Sequence, residues 1–165
     1  MTLLVVYLIL AIGVSFLCSV LEAVLLSVTP GFVVTQVEKY PRRGKVLQRV
    51  KSDLDQSLSS ILILNTFAHT IGAVGVGAQA VKLFGEKWES VIAFLLTLAI
   101  LYLSEIIPKT LGATFWKQLA LPSAVVIRVL VKLLFPFVWF SALITNLFSK
   151  GKRGGISRDE LTAMA

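Results

Sequence analysis

SVIAFLLTLAILYL, residues 90–103, runs without interruption into SEIIPK, residues 104–109. An apolar run that ends in Glu105 and a helix-breaking Pro108 brings a carboxylate and an interrupted backbone together at membrane depth. A charged side chain inside a bilayer costs about 2.5 to 3.5 kcal/mol on insertion scales, so such residues face a cavity, a partner or an ion. The proline ring excludes a hydrogen bond to the carbonyl four residues back, that of Ser104, which leaves an acceptor beside Glu105. Inside lipid that oxygen must find protein, water or an ion. The pair of features points to a cation site.

The rest of the chain is suited to holding such a run in a membrane. Its 165 residues are 56% hydrophobic and their mean hydropathy is +0.86. Four apolar stretches approach the ~20 residues needed to cross a bilayer: Leu3 to Val28, Leu58 to Val81, Ser90 to Ile107 and Leu121 to Phe148. The first is too long for a signal-peptide core, has no basic residue before it and lacks an obvious cleavage site, so it is expected to be retained. Cys18 is the single cysteine, which rules out an internal disulfide.

Charge sets the expected topology. The connection between the first two stretches carries Lys39, Arg42, Arg43, Lys45, Arg49 and Lys51 against Glu38, Asp53 and Asp55, and the positive-inside rule makes it cytoplasmic. The N-terminus is then outside, the second stretch runs outward to Gly85–Glu89, and the third returns inward to Lys109 and Lys117. A fourth crossing would put Lys150, Lys152, Arg153 and Arg158 outside, against the rule. Arg128 and Lys132 also share a helical face in that stretch, and Pro136 interrupts it. The favoured reading is three crossings with a broken amphipathic helix along the inner interface. The alternative is a tilted fourth crossing whose basic side chains snorkel. Residues 30–53 read as an amphipathic helical pair, with Thr29 as N-cap, Pro30 in the first turn and a break at Pro41/Gly44. Its basic residues suit anionic lipid. At pI ≈ 9.8 nucleic acid is conceivable, but no nucleic-acid motif accompanies the basic residues, and none is expected as a partner. The fold class is therefore all-α integral membrane: three transmembrane helices plus amphipathic juxtamembrane helices forming a cytoplasmic-side belt.

This topology brings three polar residues to similar depth. Glu22 lies roughly 9 Å from the inner end of the first span, Asn65 roughly 10 Å into the second, and Glu105 in the last turn of the third, at 1.5 Å per residue. Ser15, Ser19 and Glu22 fall on one stripe, with back-bonding to a preceding carbonyl as the alternative for each serine. Asn65 and His69 are one turn apart. His69 reads as a packed, hydrogen-bonded residue rather than a ligand. Lys109 reads either as a snorkelling residue or, with Pro108, as a gate or hinge. Gly72, Gly75 and Gly77 thin the second helix for close approach, within a protomer or across a dimer. Carboxylate, amide and hydroxyl oxygens suit Mg²⁺, Ca²⁺ or Na⁺, whereas a lone Cys and a lone His offer little to copper or zinc. Residue types alone leave Mg²⁺ only modestly ahead of Na⁺ or H⁺.

Ser19-x-x-Glu22 with Ser27 downstream, the Asn65-Thr66 pair, and Ser104-Glu-Ile-Ile-Pro-Lys109 together resemble the transmembrane domain of the CorC/cyclin-M magnesium transporters. The similarity covers residues 1 to about 150, and the Glu-Ile-Ile-Pro-Lys element is its most specific part. Ser104 stands where that family often has Gly, and His69 where it often has a second Asn. The resemblance implies a homodimer in the plasma membrane, here a bacterial inner membrane, that moves Mg²⁺ outward with Na⁺ as coupling ion. Ser15, Ser19, Glu22, Asn65, Ser104 and Glu105 are the expected metal ligands. Residues 1–150 would form the transmembrane domain, and 151–165 the start of a truncated cytoplasmic helical region. Ser157-x-x-Glu160 is a capping-box pattern opening such a helix. ATP-binding CBS domains are expected beyond it in a full-length parent. The competing expectation is a membrane anchor or assembly domain whose polar residues only lock helices together. Neither a nucleophile and base pair nor a phosphate loop is apparent, so an enzyme is not expected.

Overall fold

A computed structural model describes residues 1–140. The basic tail, the capping box, the proposed boundary at 150 and the end of the fourth apolar stretch lie outside the described residues. Within them the chain is helical, with no strand: α1 Thr2–Ser27, α2 Pro30–Lys39, α3 Pro41–Ser52, α4 Leu54–Phe84, a 3₁₀ turn Glu86–Trp88, α5 Glu89–Ala99, a π-helical segment Ile100–Ile106, α6 Ile107–Thr114 and α7 Trp116–Leu133. Among the described residues three units are long and apolar enough to cross a membrane: Thr2–Ser27, Leu54–Phe84 and the rod Glu86–Thr114. This is a multi-pass membrane protein with amphipathic helices beside its spans.

Local chemistry accounts for most boundaries. Thr29 Oγ1 accepts the Phe32 N–H at 3.4 Å, and Pro30 occupies the first turn of α2, where a missing N–H is harmless. The break before α3 falls at Tyr40, ahead of Pro41. Gly44 lies inside α3 and does not contribute to the break: a Cβ there would fall 2.6 Å from Val37 Cα, so glycine lets the two belt helices cross closely. Gly85, with φ +84, provides the left-handed turn that ends α4. The fourth apolar stretch begins as helix at Trp116, five residues before its hydropathy starts, and breaks at Leu134; helical backbone resumes at Phe135, with Pro136 in its first turn.

α1 is the axis of the molecule, packing against α4, α6, α7 and the π segment. Its last turns contribute to both parts of the core. Cys18, Leu21 and Leu25 pack with Val50, Ile61, Ile127 and Leu130, while Val24 and Val28 pack with Val33, Leu47, Ala120 and Ala124. The belt helices and α7 are thus fastened to one end of the spans. Lys51 reinforces that end by donating to the Leu25 carbonyl at 2.9 Å, among the acceptors left free at a helix C-terminus. Burial pulls its ammonium below the ordinary lysine range, so the bond forms against a desolvation cost.

Close backbone approach fixes the spans against one another. A Cβ on Gly72 would collide with Ala11 Cβ, and one on Gly75 would lie 2.6 Å from the Tyr7 ring. Gly112 of α6 is pressed on α1, where a Cβ would fall 2.8 Å from the Val20 carbonyl oxygen. Gly77 meets open space. Two of the three glycines noted in the second span therefore serve contacts within the protomer.

Candidate cation site

The antiparallel crossing of α1 and α4 brings their polar residues level. One turn along α1, from Tyr7 to Ala11 to Ser15, steps one turn back along α4, from Gly75 to Gly72 to His69, and Ser15 Oγ is hydrogen-bonded to His69 Nε2. Continued by one more step, the same register carries Ser19 toward the level of Asn65. These two supply the buried side-chain oxygens without a partner among the described residues, Ser19 Oγ and Asn65 Oδ1. Buried polar atoms are nearly always paired, so a pair of orphans on facing helices needs an explanation.

The third wall is the π segment. Pro108 has no N–H to offer Ser104, and the ladder accommodates it by slipping one residue, so that the Ile107 N–H bonds the Tyr102 carbonyl five residues back. The interruption expected at Pro108 thus takes the form of a change in helical register, upstream of the proline. Ser104 is fully buried, and its hydroxyl donates to the Ile100 carbonyl at 2.7 Å, which leaves its oxygen lone pairs as acceptors. Glu105, on the same segment, reaches α4 and α6 with separate oxygens. Its Oε1 accepts from Asn65 Nδ2 at 3.3 Å and lies 3.8 Å from His69 Nε2, while its Oε2 lies 3.4 Å from Lys109 Nζ. Lys109 Nζ is also 3.3 Å from Glu22 Oε2 on α1. Pro108 itself is buried.

Residue by residue, Glu22, Asn65, Glu105 and Lys109 form one chain of polar contacts across α1, α4 and the third rod. Ser15 joins it through His69. Ser19 stands beside it by register, unpartnered. His69 behaves as its sequence reading suggested, as a hydrogen-bonded residue. Lys109 turns inward to both carboxylates rather than outward to lipid. The i, i+4 spacing of Glu105 and Lys109 was a signal for half of this contact, whereas the Glu22 half comes from another helix and has no mark in the sequence of the third rod. Back-bonding to the carbonyl four residues earlier occurs at Ser27, Ser60 and Ser104, but neither Ser15 nor Ser19 makes it. No group of three His, Cys, Asp or Glu side chains among the described residues could hold a metal. An ion here would need hydroxyl, amide or backbone oxygens as well as the carboxylates.

Comparison with known proteins agrees with this architecture. Residues 6–165 match the family described as the cyclin M transmembrane N-terminal domain. The UPF0053 protein sll1254 of Synechocystis sp. is 36% identical over 84% of this chain and 40% of its own length. The UPF0053 inner membrane protein YfjD of Escherichia coli is 24% identical over 73% of the chain and 30% of its own, and a chloroplastic DUF21 domain-containing protein of Arabidopsis thaliana is 31% identical over 81% and 19%. The chain spans less than half the length of these relatives. With the match taking in all but the first turn of the described spans, the belt and the Glu105–Pro108 element, the chain belongs to the cyclin M transmembrane N-terminal domain family.

Proposed function

We propose that this domain carries a hard cation, Mg²⁺, across the membrane, using Ser15, Ser19, Glu22, Asn65, Ser104 and Glu105 as the ligand-bearing residues. The observation that carries the reading is the pair of buried, unpartnered oxygens, Ser19 Oγ and Asn65 Oδ1, on facing helices, the second on a side chain bonded to the Glu105 carboxylate. Oxygen donors of this kind suit a small hard ion, and two carboxylates balance a divalent charge. Mg²⁺ gives up water reluctantly, so its movement needs a compensating gradient, for which inward Na⁺ movement is the candidate. The basic α2–α3 belt supports an orientation with that face toward the cytoplasm and in contact with anionic lipid. The plasma membrane is the proposed location, in line with the inner-membrane name of one relative. A homodimer, and CBS domains following in a longer parent, complete the proposal.

A second reading is favoured by a specific observation. Lys109 ties Glu22 to Glu105 and His69 ties Ser15 to α4, so the polar residues of a pure anchor domain would look much the same at these five positions. The orphaned oxygens separate the two readings, because an assembly domain gains nothing from them. Purified protein in liposomes loaded with a Mg²⁺ indicator decides between them. Transport predicts Mg²⁺ flux in the wild type and at least about a tenfold loss in Glu105→Gln, the scale of one lost charge contact. Equal flux in both proteins would remove Glu105 from the mechanism.

A further inference from the structure

We propose that the Lys109 ammonium is a tethered stand-in for the transported cation, and that the need to displace it makes the site prefer a divalent to a monovalent ion. This rests on the cation-site reading above. The ammonium lies 3.3 Å from Glu22 Oε2 and 3.4 Å from Glu105 Oε2, so one positive charge bridges the two carboxylates that a divalent ion would use. Both cannot occupy that bridge. Two cations sharing one pair of carboxylates would repel each other at contact distance, where the low dielectric of a membrane interior strengthens the repulsion.

The charge balance gives the selectivity. Two carboxylates and the ammonium leave the cluster with one net negative charge. A monovalent ion that replaced the ammonium would exchange one unit charge for another and leave that deficit in place, with the lysine to be resolvated as well. A divalent ion that replaced it would neutralise both carboxylates. Only the divalent exchange improves the electrostatics, and the residual negative charge before exchange still attracts the incoming ion.

The geometry provides a way out for the displaced group. Of the three ion-pairing side chains Lys109 is the most exposed, at 43% against 35% for Glu22 and 27% for Glu105. It lies on α6, one turn before Gly112 contacts α1 and close to the end where α1 meets the belt helices and α7. A flexible four-carbon stem lets its ammonium move toward water or lipid phosphate at that end without moving the helix. Glu105 meanwhile keeps Oε1 on Asn65, so it can exchange its Oε2 partner without losing its position.

The experiment compares thermal unfolding of wild type, Lys109→Gln and Lys109→Arg in lipid nanodiscs, titrated separately with MgCl₂ and NaCl at constant ionic strength. In Lys109→Gln, half-maximal Mg²⁺ protection is expected at about tenfold lower concentration, the scale of one removed competing charge, and protection by Na⁺ is expected to appear. Lys109→Arg keeps the charge and should keep the wild-type discrimination. Identical Mg²⁺ and Na⁺ titrations for wild type and Lys109→Gln would overturn the proposal while leaving the cation site intact. Absence of protection by either ion in all three proteins would remove the cation site and this proposal with it. Should Lys109→Gln fail to fold, amine acylation of the wild type read by peptide mass spectrometry serves instead. Mg²⁺ should raise labelling at Lys109 severalfold, and unchanged or reduced labelling in Mg²⁺ that stabilises the protein would overturn the proposal.

Discussion

The seam between α1 and α4 changes character within two helical turns. Where Tyr7 and Ala11 lie on Gly75 and Gly72, the contact is dry, and backbone approaches side chain with no room for a methyl group. Where Ser15 meets His69 it is polar, and farther along it Ser19 and Asn65 each carry an unpaired oxygen. Association of helices in lipid depends on close packing and hydrogen bonds, since lipid tails are as apolar as leucine. The dry half therefore sets the helix spacing. The polar half inherits that spacing and can leave groups unsatisfied because it does not have to hold the helices together.

The contrast can be broken most severely at Gly72. Gly72→Leu should cost about 3 kcal/mol or more, since even its Cβ has no space against Ala11, and it should abolish a cooperative unfolding transition in nanodiscs. A wild-type transition would mean that the helices are not in close contact there. Gly75→Ala is expected to cost less, on the order of 1 kcal/mol, because the Tyr7 ring can shift whereas the Ala11 Cβ is fixed to the backbone. On the polar side, Ser15→Ala removes one hydrogen bond to His69 and should cost about 0.6 kcal/mol, at most about 1.7, in the same measurement.

Asn65→Leu sharpens the comparison further. It loses the bond to Glu105 but also removes an unpaired buried oxygen, so stability without added ion should stay within about 1 kcal/mol of the wild type. Mg²⁺ protection against unfolding should nonetheless disappear. If stability fell by several kcal/mol and Mg²⁺ still protected the remainder, Asn65 would be a structural strut. The smallest effect is expected at Gly77, where a Cβ meets open space: Gly77→Ala should be neutral or stabilising by up to about 1 kcal/mol through helix propensity.

Sequence reading reached the spans and the belt because hydropathy, capping and proline placement are local. Thr29, Pro30 and Pro41 mark the belt helices without reference to any other part of the chain. What it could not reach depends on neighbours. Asn65 and His69 share a face by periodicity, but that His69 meets Ser15 follows from the α1–α4 register, which Gly72 and Gly75 set. Spacing alone could not separate those two glycines from Gly77, because all three occur on one helix and only the partner distinguishes them. Pro108 signals an interruption but not its form, since a missing N–H fits a kink as well as the slip to Ile107–Tyr102 bonding that occurs upstream of it. The pairing of Lys109 with Glu105 was legible as an i, i+4 spacing, but its bridge to Glu22 required the position of a different helix. The early start of α7 escaped hydropathy for a simpler reason, since Lys117 and Gln118 dilute its first turn.

The central claim is that Ser19, Asn65 and Glu105 surround a hard cation. The most direct measurement is an anomalous difference map from crystals grown in Mn²⁺, which shares the oxygen preference of Mg²⁺ and scatters anomalously. The account predicts a peak among Ser19 Oγ, Asn65 Oδ1 and Glu105, with the Lys109 ammonium withdrawn from Glu105. A map with no peak at saturating Mn²⁺, and Lys109 still seated between Glu22 and Glu105, would contradict it.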